Sequence, residues 1–327
     1  MDVHALGSPD ELRLEVMDYG AAVHRLLVPT PAGLRNVVLG HASVAEYAAS
    51  TAYFRATVGR YANRIAEGRF VLDGTEYALQ RNENGNTLHG GPEGFNSRVW
   101  TVASRTQTAL TLTLHSPDGD QGFPGALDAS VTYTVSAAEV RIDLEARTDR
   151  PTVVSLTNHS YFNLAGEGSG SVDDHVLQVL ADHYTPTNQA LIPTGELAPV
   201  DGTPLDLRQP TRIGDAVRCD HPALRAARGI DHNFAVRGTG LREVARVRAA
   251  GLRLEVASDA PGVQVYTGNF LDGTTAGTSG SLYRQGDGLA LEPQAFPDSP
   301  NQPSFGSVTL RPEETYRRTI VWRVGSD

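Results

Sequence analysis

The chain has one cysteine, Cys219, so no internal disulfide can form, and a reducing compartment is expected. Nowhere does it approach the ~20 continuous apolar residues that a membrane-spanning helix needs. The opening MDVHALGSPDELRLEV has no basic stretch followed by an apolar run, so no signal peptide is expected and the chain reads as soluble and cytoplasmic. Positive charge is in deficit: Lys and Arg number 28 against 38 Asp and Glu, for a formal net charge of -10. A nucleic acid or an anionic membrane needs a basic face, so neither is an expected partner. Phosphate cradles of the GxxxxGK[ST] type, GxSxG nucleophile elbows and HExxH metal pairs are all missing. Strand–helix–strand alternation is also absent, which excludes a parallel doubly wound sheet. No linker, charge run or repeat divides the sequence, and residues 1–327 are expected to form a single domain.

Turn-formers and short alternating runs are plentiful. The 33 glycines and 19 prolines are spread along the whole chain. Between them, apolar and polar residues alternate at period two, as in Leu12–Val16. Phe70–Leu72 and Thr75–Leu79 flank Asp73-Gly74, a hairpin signal. Val99–Ser104 with Ala109–His115, Ala129–Val135 with Val140–Ala146, and Val244–Ala249 with Leu252–Ala257 read as further pairs, and Val308–Leu310 and Tyr316–Val324 close the chain. Strands joined by short turns run antiparallel, and strands that alternate bury one face, so two sheets must pack together. The expected fold is all-β: a large antiparallel β-sandwich with few short helices, candidates being Ser43–Ala49 and Pro222–Arg228.

Five irregular stretches carry polar side chains that ordinary turns do not need, and binding residues gather on loops held by a rigid sheet. After the apolar Leu289-Ala290-Leu291 comes Glu292, followed by Pro293, Pro297, Pro300 and Pro303. Those prolines are expected to end the strand, leaving Glu292 on a stiff loop where it is either a solvated carboxylate or a reactive base. His159, in Thr157-Asn-His-Ser-Tyr161, is its candidate acid partner, or a structural histidine. His89 lies beside Gly90 and Gly91, which suit close approach of a ligand or an ordinary turn. Arg60 and Arg64 flank Asn63; a guanidinium fork suits hydroxyls or a carboxylate, and one of the two is open to a plain ion-pair role. Asp231, in Asp231-His-Asn233, either binds hydroxyls or caps an Asx turn, and Gln264, on an expected strand, faces a ligand or solvent. His89, His159, Asp231 and His232 are all possible metal ligands, but no close pair of the kind zinc sites use is present, so neither metal nor cofactor is expected.

Taken together, GRYANRI (59–65), NTLHGG (86–91), SPDGDQGFPG (116–125), LTNHSYFNLAG (156–166), LIPTGE (191–196), DLR (206–208), GIDHNF (229–234), PGVQVYTGNFLDG (261–273) and LEPQAFPDSPNQP (291–303) resemble the aldose 1-epimerases, or galactose mutarotases. They span nearly the whole chain, and LTNHSYFNL with YTGNFLDG is the most specific part. The resemblance implies the same large antiparallel β-sandwich. It also implies Glu292 as general base and His159 as general acid. Asn63, Arg64, His89, Asp231 and Gln264 fall on sugar-binding positions, with Ser160 and Tyr161 beside the acid. One departure is Pro293-Gln294-Ala295-Phe296, where many members carry Thr-Gln-Asn or Thr-Gln-His; the Glu stays in place.

The implied reaction is interconversion of the α and β anomers of free aldoses such as galactose and glucose. Ring opening removes a proton from the C1 hydroxyl and adds one to the ring oxygen, and each positioned acid or base contributes roughly 10²–10⁴-fold. The partner is then a free monosaccharide. Two other readings fit the same residues: a non-catalytic carbohydrate-binding or sugar-sensing protein, and a glycoside hydrolase with Asp231 and Glu292 as carboxylates about 5–9.5 Å apart.

Overall fold

The computed structural model of the chain describes residues 1–41, 43, 46–47 and 53–327. The alternating segments are strands. Along Leu127–Val135 every second residue is buried, and along Glu139–Thr148 so are Val140, Ile142, Leu144 and Ala146. Their antiparallel register sets Val131 opposite Leu144 and Tyr133 opposite Ile142, so both apolar sets share one face. A nine-stranded sheet grows from this pair. On one side lie Ala109–Ser116 and the edge strand Thr101–Arg105; on the other lie Tyr316–Ser326, Leu252–Ser258, Arg242–Ala249, Val176–Val179 and Thr211–Arg212. The C-terminal strand thus sits in the middle of the sheet, between Glu139–Thr148 and Leu252–Ser258.

Two further sheets complete the sandwich. One has four strands, Val3–Gly7, Arg13–Met17, Ala22–Thr30 and Gly33–Asn36. The other has six, in the order Tyr161–Phe162, Leu289–Gln294, Gly262–Tyr266, Asp231–Val236, Ala181–Tyr184 and Ala198–Pro199. Leu14, Val16 and Leu26 from the first, Phe234, Val263 and Leu291 from the second, and Val131, Ile142 and Leu254 from the nine-stranded sheet belong to one buried cluster. Phe162 meets Trp322 edge-on across it, ring centroids 5.1 Å apart.

The sandwich and all the predicted hairpins are present. Pro222–Ala227 is helical: Pro222 opens it, the His221 ring accepts the Ala223 amide, and Arg228 ends it in the left-handed region. Ile213–Val217 is a second short helix that the pattern did not signal. Of the helix expected over Ser43–Ala49, Ser43, Glu46 and Tyr47 are described, Glu46 and Tyr47 as helical, and the rest lies outside the described residues. Among the described residues no helix is long and apolar enough to cross a membrane.

Two expectations are corrected. Glu292 is not on a loop; the strand Leu289–Gln294 runs through it and through Pro293, which sits opposite Val263. The missing proline amide is tolerated because the other edge of this strand pairs with Tyr161–Phe162 only at Leu289 and Ala290. Likewise Asp231 opens the regular strand Asp231–Val236 and does not lie in an irregular stretch.

Candidate active site

In the six-stranded sheet the strands Leu289–Gln294, Gly262–Tyr266 and Asp231–Val236 are buried on both faces, which is why they do not read as a simple alternation. Phe234, Val263, Val265 and Leu291 point into the core. Residues between them point the other way, and register aligns them: Asp231 is opposite Tyr266, which is opposite Ala290; Asn233 is opposite Gln264, which is opposite Glu292. A polar shelf results, and all of these residues are less than 10% exposed.

Loops from the N-terminal half close over the shelf. Asn63 and His89 clamp each other: the Asn63 amide donates to His89 Nδ1 (3.1 Å) and the His89 amide donates to the Asn63 carbonyl (3.0 Å). Both have left-handed backbones, φ 64° and 52°, conformations that non-glycine residues hold only where the surroundings demand it. The neighbouring Gly90 is required, since a Cβ there would lie 1.9 Å from the Gly59 carbonyl oxygen. Arg60 is the structural arginine of the pair; its guanidinium is buried against the Ser116, Pro117, Pro124 and Gly125 carbonyls and the Ser116 hydroxyl.

Between shelf and loops lies a cavity of about 220 Å³. Asn63, Arg64, His89, His159, Tyr161, Asp231 and Glu292 all line it. His159 Nε2 is 3.5 Å from Glu292 Oε1, and the Tyr161 ring stacks on the His159 ring at 4.9 Å. Thr157 ties the two strands together through its hydroxyl to the Pro293 carbonyl (2.8 Å). Two predicted residues stand behind the wall. Gln264 donates to Asp231 Oδ1 (2.6 Å) and so orients that carboxylate, while the Ser160 hydroxyl donates to Asn158 Oδ1 (2.6 Å) and does not line the cavity. The sequence reading passed over Tyr53, Glu83, Tyr266 and Phe270, which also line it. Tyr266 had a signal, because it sits two positions from Gln264 on one strand and so shares its face. Glu83 had none: its bidentate pair with Arg64 (2.6 and 3.0 Å) is made only when two loops meet.

Burial dominates the electrostatics. It pushes the Glu292 carboxyl well above the usual carboxylate range, with Asp231 adding to the shift and Arg64 opposing it. It pushes His159 down to about 4, and His89 well below its ordinary value with help from His159 and Arg64. Glu292 and His159 therefore hold one proton between them over a wide pH range, as a neutral pair or, after transfer, as carboxylate and imidazolium of the same total charge. His89 is different. Because its Nδ1 accepts an amide hydrogen, the neutral ring carries its proton on Nε2 and is a fixed donor.

His89, His159 and Glu292 each bring a ligand-type atom within 4.8 Å of the others. A cation would need the His89 Nε2 lone pair, which would force the ring proton onto Nδ1 against the Asn63 amide. The donor set fits proton transfer to an organic ligand better than metal binding. His232 is likewise committed, since its Nδ1 accepts the Asp231 amide.

The family described as aldose 1-epimerase matches residues 2–323. The chain is 45% identical to mouse galactose mutarotase over 96% of its own length and 91% of that protein. It is 41% identical to the aldose 1-epimerase of Escherichia coli K12, over 92% and 88%. Among solved structures it superposes on an aldose epimerase homologue from C. elegans with a TM-score of 0.92, at 28% identity and 99% coverage of both chains. It also matches a galactose 1-epimerase from Lactobacillus acidophilus with a TM-score of 0.88, at 31% identity, covering 98% of this chain and 93% of that one.

Proposed function

The chain belongs to the aldose 1-epimerase family and is an enzyme of that class, and from this premise we propose that Glu292 and His159 are the proton-transfer pair that interconverts sugar anomers in the cavity. Glu292, as carboxylate, takes the proton from the C1 hydroxyl of the bound hemiacetal. His159, as imidazolium, gives its proton to the ring oxygen as the C1–O bond breaks. The open aldehyde turns about C1–C2, and closure on its other face returns each proton by the reverse transfers. The pair gains and loses no proton overall, and no electrons leave the sugar.

The single observation that carries this reading is the 3.5 Å approach of His159 Nε2 to Glu292 Oε1 inside a buried cavity. A binding module has no use for such a pair. The group facing Glu292 is an imidazole, whereas Asp231 is engaged by Gln264, which weighs against a two-carboxylate hydrolase. His89 Nε2–H is a donor for the ring oxygen or an adjacent hydroxyl, and Arg64, Asn63 and Asp231 hold the remaining hydroxyls of a free aldose such as galactose. We take residues 1–327 to act as one unit and place it in a reducing, cytoplasmic setting, in keeping with the exposed, unpaired Cys219.

Polarimetry of freshly dissolved α-galactose tests the proposal. Glu292→Gln keeps the shape but cannot accept a proton, so catalysed mutarotation falls by roughly 10²–10⁴-fold with the fold unchanged by circular dichroism. Near-normal rates in that variant would remove Glu292 from the mechanism.

A further inference from the structure

We propose that Glu83 is a specificity-determining residue: by occupying Arg64 and adding a carboxylate to the wall, it restricts the cavity to neutral sugars and rejects sugar acids. The inference rests on reading the cavity as the sugar site.

Glu83 is held rigidly. It opens a tight turn in which Asn84 and Gly85 both have positive φ, 46° and 83°, the pair of conformations a type I′ turn needs, closed by the Asn86 amide on the Glu83 carbonyl (2.7 Å). From there its two carboxylate oxygens engage Arg64 Nε (3.0 Å) and Nη2 (2.6 Å) side-on, and neither bond uses Nη1. The Arg64 side chain is 7% exposed and that of Glu83 is 23%, so the pair sits in the wall and not out in solvent. A guanidinium fork is the side chain best suited to grip a carboxylate or phosphate bidentately. Here the fork is already filled by the protein's own carboxylate, leaving single contacts for a hydroxyl.

The charges around the cavity point the same way. Among the described residues Arg64 is the cation in the lining. Glu83 and Asp231 face it, and the Glu292–His159 pair is neutral in sum. His89 stays uncharged because its ring is desolvated, and Tyr53, Tyr161 and Tyr266 are held in the phenol form by burial. One guanidinium against two carboxylates leaves a wall of negative sign, in a site with little water to screen it. A ligand carrying its own carboxylate meets repulsion and finds no free fork. Replacing Glu83 by Gln removes the excess negative charge and frees Arg64.

Galactose and galacturonate differ only in CH₂OH against carboxylate, so their kcat/KM ratio isolates the effect. For the unaltered enzyme galacturonate is expected to be at least about tenfold poorer, and Glu83→Gln to narrow that gap by roughly tenfold, a change of one decade in transition-state affinity. Glu83→Asp, which keeps the charge, holds the ratio within about threefold of the unaltered enzyme. Galacturonamide, which keeps the shape of galacturonate without its charge, is used by the unaltered enzyme within about threefold of galactose, and this measurement stands if the Gln variant does not fold. Equal use of the two sugars by the unaltered enzyme overturns the proposal. So does an equal shift of the ratio in the Asp and Gln variants, or a galacturonamide used as poorly as galacturonate. An unaltered enzyme inactive on galactose would instead sink the mutarotase reading beneath it.

Discussion

His89 and His159 lie with ring centroids 5.2 Å apart in one cavity, yet their surroundings give them different work. The Asn63 amide fixes the His89 tautomer and leaves it a permanent donor. His159 has no such clamp: its Nε2 faces Glu292, and its Nδ1 has no hydrogen-bond partner among the described residues. Only His159 is therefore free to change protonation state during turnover. The pair's shifts set the pH dependence. Activity needs one proton on the pair, so kcat/KM falls as pH drops through about 4, where burial has placed the His159 pKa, because the base is then lost. It falls again at high pH as Glu292, held above its ordinary range, gives up the shared proton and the acid is lost. His159→Asn is expected to lower kcat roughly 10²–10⁴-fold and to abolish the high-pH limb, leaving a single rise in rate with pH as Glu292 ionises. A variant that keeps the full bell-shaped profile would assign the acid role elsewhere.

At the scale of elements, three neighbouring strands carry one row of polar side chains each, and register puts Glu292, Gln264 and Asn233 in line. The loop after Glu292 is anchored back onto the loop that bears Arg64. The Asp298 amide donates to the Arg64 carbonyl (2.8 Å), Asp298 Oδ1 accepts the Ala66 amide (2.9 Å), and the Tyr61 hydroxyl donates to the Phe296 carbonyl (2.8 Å). The proposed base and the proposed sugar clamp thus move as one body. Asp298→Ala removes the carboxylate that accepts from the half-buried Ala66 amide, so a loss of roughly 1–3 kcal/mol in unfolding free energy is expected. A raised KM for galactose should accompany it, because the Arg64 strand loosens. Urea unfolding and steady-state kinetics check both; a variant matching the parent on both counts would show that this anchor is dispensable.

The whole molecule carries its buried imidazoles as an acid-sensitive set. Burial lowers His24, His159, His175 and His232 to about 4, and holds His89 well below its ordinary value. The unfolded chain takes up protons near the ordinary value of 6.5, whereas the folded chain resists until about 4. Stability present at neutral pH is therefore lost progressively as pH falls across that window, by roughly 1–3 kcal/mol for each fully buried imidazole. The raised carboxyls of Glu292, Asp231 and Asp298 oppose this in part. The expected result is a thermal midpoint that declines from pH 7 to pH 4.5, as followed by calorimetry; a flat midpoint would mean that these rings are not desolvated in the folded state.

Much of this was legible in the chain. Alternation at period two specifies which face of a strand is apolar, so the antiparallel sandwich and its hairpins follow from neighbours in sequence. The polar clusters around Asn63, His89, His159, Asp231 and Glu292 stood out because ordinary turns do not need such side chains. Glu292 and Asp231 were misplaced onto loops because a strand buried on both faces loses its alternation, and because Pro293 sits where no partner strand requires its amide. Local sterics and periodicity depend on residues a few positions apart, and those the sequence by itself determined. Which groups share a proton, which tautomer His89 adopts and which acid holds Arg64 depend on surfaces meeting from distant segments. Desolvation and hydrogen-bond partners exist only once those surfaces are in contact, so only the tertiary structure decided them.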